Sequence, residues 1–98
     1  MPVLMVLDWD GIGVAEYEAL RARVGWKEEV PPGALFHAAA KTDDGMRAVD
    51  LWESAEAFQR FVDERLVPAA AELGIPGAPR VDLRPTVDVF TPGYQPRG

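Results

Sequence analysis

The chain has no cysteine. Disulfides, thiolate nucleophiles and cysteine-ligated zinc or iron–sulfur centres are therefore excluded. Histidine occurs once, as His37, and serine once, as Ser54. A lone histidine among scattered acids offers no recognised metal-ligand spacing, so no metal is expected. Ser54 sits where a helix needs an N-cap, which argues against a serine nucleophile. Gly11-Ile-Gly13 lacks the rest of any phosphate-binding fingerprint, so no nucleotide loop is expected. Basic charge is also scarce: ten Lys and Arg stand against sixteen Asp and Glu, a net charge of −6. Nucleic acid and anionic membrane surfaces are poor partners for such a chain, and the acidity serves solubility. Long apolar runs are missing as well. The first one, Val3 to Leu7, ends at Asp8, and no basic segment precedes it, so neither a signal peptide nor a membrane span is expected. A soluble cytoplasmic protein is the reading that fits.

What is present is apolar material in a short chain. Hydrophobic residues make up 48% of the 98, with three Trp among them. A domain of this size has a modest core, so part of that surface is expected to meet a partner subunit.

Residues 3–9 read as a mostly buried strand, stopped by the turn at 10–13. Val14, Tyr17, Leu20 and Val24 are spaced as one helix face, with Gly13 as N-cap, Glu16 three residues on, and Gly25 at a left-handed C-terminal position. Residues 34–41 hold three consecutive alanines, which favour a helix on propensity. Their short span between Pro-Pro-Gly and Asp-Asp-Gly favours a strand. The alternation of residues 46–53 after the Thr42–Gly45 turn decides for a hairpin. Ser54 then caps a helix carrying Phe58, Phe61, Val62, Leu66, Ala69, Ala70 and Leu73 as its apolar stripe. Pro68 predicts a break or kink, followed by a short helix ended by Gly74. Residues 80–90 alternate as a last strand, which Pro85 places at an edge or a bulge. We expect one domain over residues 1–90 and a loose tail over 91–98.

This order is that of an α+β, ferredoxin-like β-α-β-β-α-β domain with a four-stranded antiparallel sheet. Helices cover one face of such a sheet. Strands 1 and 3 carry apolar residues on both faces, so a second copy of the sheet is the simplest cover for the other. A homodimer through sheet faces is expected.

If the hairpin closes through Thr42–Gly45, paired residue numbers sum to 87 and His37 faces Asp50. The carboxylate would hold the imidazole in one tautomer, and the pair could act as general base on an acidic C–H or phenolic O–H. The same pair also reads as a purely structural hydrogen bond. Trp52 follows on the same strand face and could wall an aromatic ligand or simply pack in the core. Trp9, Tyr17 and Trp26 stand between the same two readings. Arg47 and Arg65 could bind a carboxylate or phenolate, or form surface ion pairs.

The segment from Met46 to Phe61, Met-Arg-Ala-Val-Asp-Leu-Trp-Glu-Ser-Ala-Glu-Ala-Phe-Gln-Arg-Phe, resembles the dimeric α+β barrel superfamily, and within it antibiotic biosynthesis monooxygenase-like domains. Gly33 to His37, Leu66 to Pro68 and the final strand stand where such proteins carry corresponding elements. The resemblance implies an enzyme of secondary or aromatic metabolism that needs no bound cofactor, oxygenating or cyclising a polycyclic phenol. It also makes Trp52 a position where relatives use a Trp. In those relatives an Asn commonly accompanies that Trp, and this chain has no Asn. The superfamily also holds members without assigned activity, so a non-catalytic small-ligand binder or stress-type protein is the alternative. His37 and Asp50 are the candidate catalytic residues, and Trp52, Tyr17, Trp9 and Trp26 the candidate substrate-binding ones.

Overall fold

Strand-forming residues at a spacing of two and apolar helical stripes at three to four set the element order of the computed structural model, which describes residues 2–93. The order is β1 (Val3–Asp10), α1 (Val14–Val24), β2 (Ala34–Lys41), β3 (Gly45–Trp52), α2 (Ala55–Phe61), α3 (Val62–Leu66, a π-helical turn), α4 (Val67–Leu73) and β4 (Arg80–Pro85). The four strands form one antiparallel sheet in the order β2-β3-β1-β4. This is the β-α-β-β-α-β arrangement the sequence predicts. No helix among the described residues is long and apolar enough to cross a membrane.

The hairpin closes in the predicted register. The Thr42 N–H donates to the Gly45 carbonyl at 2.8 Å, and the Thr42 hydroxyl accepts from the Gly45 N–H at 2.9 Å. His37 pairs with Asp50. Toward the far end the register slips between Ala34 and Phe36, leaving Leu35 as an extra, exposed residue. The bulge absorbs the mismatch before it reaches His37. Gly45 is required by space: a Cβ there would lie 2.1 Å from the Trp9 carbonyl oxygen across the β1–β3 pair.

The core lies between the sheet and the helices. Met5, Trp9, Met46 and Trp52 enter it from the strands, and Leu20, Phe58, Phe61, Leu66, Ala69 and Ala70 from the helices. In α1, Leu20 is buried and Tyr17 and Val24 half-buried, but Val14 is exposed, so the apolar face begins one turn later than its spacing suggests. Gly13 and Gly25 cap this helix as expected, the former with its N–H donating to Glu16 Oε1 at 2.7 Å. Ser54 caps α2, accepting from the Ala57 N–H at 3.1 Å.

Pro68 does not break the second helical segment. The chain widens instead into the π turn of α3, where the Val67 N–H reaches back to the Val62 carbonyl. Proline clashes with the carbonyl four residues before it in α geometry, and a π turn opens that space. The extra residue also explains the stripe. Phe61 and Leu66 are five apart, yet both are buried. Leu73, by contrast, is exposed and leaves the stripe.

The last strand ends at Pro85, five residues short of its expected limit. Val3 is the first residue of β1 and already pairs with Pro85, so residues further on have no strand beside them. Only Thr86 continues the contact, through its N–H and hydroxyl to the Pro2 carbonyl. β4 is an edge strand, as Pro85 requires. Of the expected tail, residues 94–98 lie outside the described residues.

Candidate active site

β-strand alternation places His37, Asp50, Met5 and Leu83 in one row across the sheet, on the face toward the helices. With Met5 beside it and Leu83 beyond, a carboxylate on this face is costly to bury without partners. It has them. His37 Nδ1 and Asp50 Oδ1 are 2.6 Å apart, and the Trp52 indole N–H donates to Asp50 Oδ2 at 3.0 Å. On the other side of the ring, His37 Nε2 lies 2.6 Å from the Tyr17 hydroxyl. A carboxylate only accepts, so with Asp50 in that form Nδ1–H is the donor between them. The ring then has one free acceptor, Nε2, and the Tyr17 O–H donates to it. The result is a hydrogen-bonded chain, Tyr17 to His37 to Asp50 to Trp52, drawn from α1, β2 and β3.

The chain is half sunk in the protein. The His37 and Asp50 side chains are 20% and 4% exposed. No buried side-chain nitrogen or oxygen among the described residues lacks a partner. Trp26, on the segment after α1, packs its ring on His37 at 4.8 Å and meets Trp52 and Phe61 edge-on at 5.8 and 5.5 Å. Burial holds the Tyr17 hydroxyl above the ordinary phenol value. The Arg21 charge works against that shift, and the Asp50 carboxylate adds to it.

A cavity of about 80 Å³ opens beside this chain. Its walls are Met5, Leu7, Trp9, Ile12, Phe58 and other apolar groups, with Tyr17, His37 and Arg21 among its lining. It is small beside the ~300–1,000 Å³ usual for ligand sites. Trp9 and Trp26 line it as the sequence suggests. Trp52 does not: it is 0% exposed, donates its N–H to Asp50, and backs the lining rings of Trp26, Phe58 and Phe61. Trp9 also donates its indole N–H to the Pro76 carbonyl, tying β1 to the linker before β4.

Sequence reasoning missed two features. The Tyr17 to His37 bond joins residues on separate elements, and no spacing rule reports it. Arg21 was missed too, although it stands one helical turn beyond Tyr17, a signal available in the sequence. The arginines that sequence reasoning did single out have their guanidinium groups engaged elsewhere, although Arg47 also lines the cavity. Arg47 pairs with Asp8 across β1 and β3, with Nε 2.7 Å from Oδ1. Arg65 donates to the carbonyls of Val24, Gly25 and Glu29, closing the C-terminal end of α1. No group of three or more His, Cys, Asp or Glu that could hold a metal occurs among the described residues.

The other sheet face carries Leu4, Phe36, Val49 and Leu51 at one end and the Asp8–Arg47 and Asp10–Arg80 ion pairs at the other, with the Asp82–Arg84 pair on edge strand β4 beside Leu4. A groove of about 230 Å³ runs between those four apolar residues and Val89 and Phe90.

No family model matches the chain, and no curated protein matches it. Solved structures do. The cofactor-independent oxygenase SnoaB from Streptomyces nogalater superposes with a TM-score of 0.65 at 20% identity, covering 95% of this chain and 98% of its own. The heme-degrader MhuD from Mycobacterium tuberculosis gives 0.54 at 22% identity, over 91% and 99%. A monooxygenase from the ActVA-Orf6 gene of Streptomyces coelicolor, solved with Nanaomycin D, gives 0.53 at 20% identity, over 92% and 91%. The fold is therefore the ferredoxin-like α+β fold that these structures share. At these identities the likeness is one of fold, and the chemistry has to be argued from the site. A haem ligated by histidine does not fit these residues, because both ring nitrogens of the only histidine are engaged by Tyr17 and Asp50.

Proposed function

We propose that the chain is a small-molecule enzyme of secondary or aromatic metabolism, a cofactor-independent monooxygenase or cyclase working in the cytoplasm. The observation that carries this reading is the Tyr17–His37–Asp50–Trp52 chain beside a mostly apolar cavity. A flat phenol or enol lies between Trp9 and Trp26. The His37–Asp50 pair takes a proton from it, and Asp50 stabilises the resulting imidazolium. In the oxygenase form, dioxygen adds to the carbanion, and the hydroperoxide loses water to leave a carbonyl. One CH₂ and one O₂ give one C=O and one H₂O, so dioxygen is the only oxidant needed. A polycyclic substrate requires Trp26 to move, since the cavity is small.

Two copies pair through the open sheet faces. The apolar end, with Leu4, Phe36, Val49 and Leu51, supplies the interface core and the ion pairs its rim. The exposed Val87 and Phe90, just past β4, add apolar surface at the same edge.

The test is oxygen uptake and product formation with a panel of mono-, bi- and tricyclic phenols. His37→Ala and Asp50→Ala should each lower turnover about 100-fold or more while the fold, followed by circular dichroism, is kept. A second reading, a non-catalytic binder, is favoured by the small cavity and by the closure of the polar chain on itself. It requires both variants to keep ligand affinity within a few-fold and no phenol to turn over.

A further inference from the structure

The geometry points to Tyr17, rather than His37, as the group that meets the reacting proton, and to Arg21 as the cation that holds the anion formed. This rests on the proton-abstraction reading above and names its substrate class: a flat apolar compound whose acidic C–H or O–H yields an enolate or phenolate. Three observations support it. First, Nε2 is the only basic position left on His37, and the Tyr17 hydroxyl occupies it at 2.6 Å. Both side chains line the cavity, and a ligand that is to reach Nε2 must first displace that hydroxyl. Second, Tyr17 and Arg21 lie one turn apart on α1 and both line the cavity. Third, the Arg21 guanidinium forms no ion pair or hydrogen bond among the described residues, whereas that of Arg23, two residues on, pairs with Glu72. An unpaired guanidinium at the mouth of an apolar cavity is complementary to an anion.

The step balances. The substrate C–H breaks and its proton joins the Tyr17 oxygen. The proton that Tyr17 held passes to His37 Nε2. The enolate remains opposite Arg21, and Asp50, fixed by Trp52, faces the imidazolium. Return of a solvent deuteron by the same route completes an exchange that needs no oxidant. Trp52 is thus a positioning residue, acting only through Asp50.

Deuterium exchange at the acidic carbon of 2-tetralone in D₂O, followed by NMR, isolates this step from oxygenation. The full chain should accelerate exchange. Tyr17→Phe should remove at least about 100-fold of that acceleration, and His37→Gln as much. Arg21→Gln should lower kcat/KM about 10-fold or more, with Arg21→Lys recovering part of it. Trp52→Phe should lower kcat several-fold with KM unchanged. Exchange that persists within threefold in Tyr17→Phe but fails in His37→Gln overturns the relay and leaves the proposed function standing. Exchange without oxygen uptake supports the relay and removes only the oxygenase chemistry. No acceleration by the unaltered chain overturns the relay. Should Tyr17→Phe not fold, Arg21→Gln on the exposed edge of α1 decides, and an unchanged kcat/KM there overturns the proposal.

Discussion

Asp50 is the residue on which the site turns. It is buried, it accepts from both His37 and Trp52, and an unpaired carboxylate at that depth would be expensive. Asp50→Asn keeps the shape but puts an NH2, which cannot accept, in place of one carboxylate oxygen, so one of the two bonds loses its acceptor and stability should fall by about 1–3 kcal/mol in urea unfolding. Tyr17 gives a pH signature. Its phenol holds its proton more tightly in the folded chain than the ordinary value of 10.0. Folding is therefore unaffected by Tyr17 well below that value, and stability falls as pH rises through and above it. Tyr17→Phe removes this loss, so its unfolding midpoint should decline less above about pH 10 than that of the unaltered chain. The His37–Asp50 contact was legible in the sequence because a hairpin register is simple arithmetic. The Tyr17 bond was not, because it depends on how α1 lies across the sheet. Trp52 was placed on the right face but left open between ligand wall and core, since alternation gives side and says nothing of how far a ring is covered.

Elements follow the local signals closely where those signals are steric. Gly45 sits at the tightest approach of β1 and β3, and Gly45→Ala should destabilise the chain by at least about 2 kcal/mol, read from chemical denaturation. Ser54→Ala, which removes only a cap, should cost about 1 kcal/mol in the same measurement. The difference separates a backbone clash from a lost hydrogen bond. The hairpin, both glycine caps and the Ser54 cap could all be read from turn and cap chemistry. The π turn could not be read from Pro68 alone, which is compatible with a kink, a break or a widened turn. The five-residue step from Phe61 to Leu66 is the signal that selects among them. The last strand was overextended because alternation continues past Pro85, whereas pairing stops where β1 begins.

The whole molecule presents one sheet face to its helices and leaves the other open. Leu4, Phe36, Val49 and Leu51 on that open face make a homodimer the expected assembly, sedimenting at about twice the 10.7 kDa of one chain at micromolar concentration. Leu51→Asp should return it to the monomer. The apolar content of the chain and the two apolar faces of strands 1 and 3 pointed to that assembly, but neither reports the size of the cavity on the helix side, which depends on how Trp26 and Phe58 pack. Whatever the molecule does with that cavity depends on one protonic arrangement, with the imidazole proton on Nδ1 and Tyr17 donating to Nε2. His37 is the only histidine, so nitrogen-15 NMR of labelled protein at alkaline pH reads it without assignment. The signal should be that of the Nδ1–H tautomer and should move toward Nε2–H in Asp50→Asn. A ring carrying its proton on Nε2 in the unaltered chain would contradict the account.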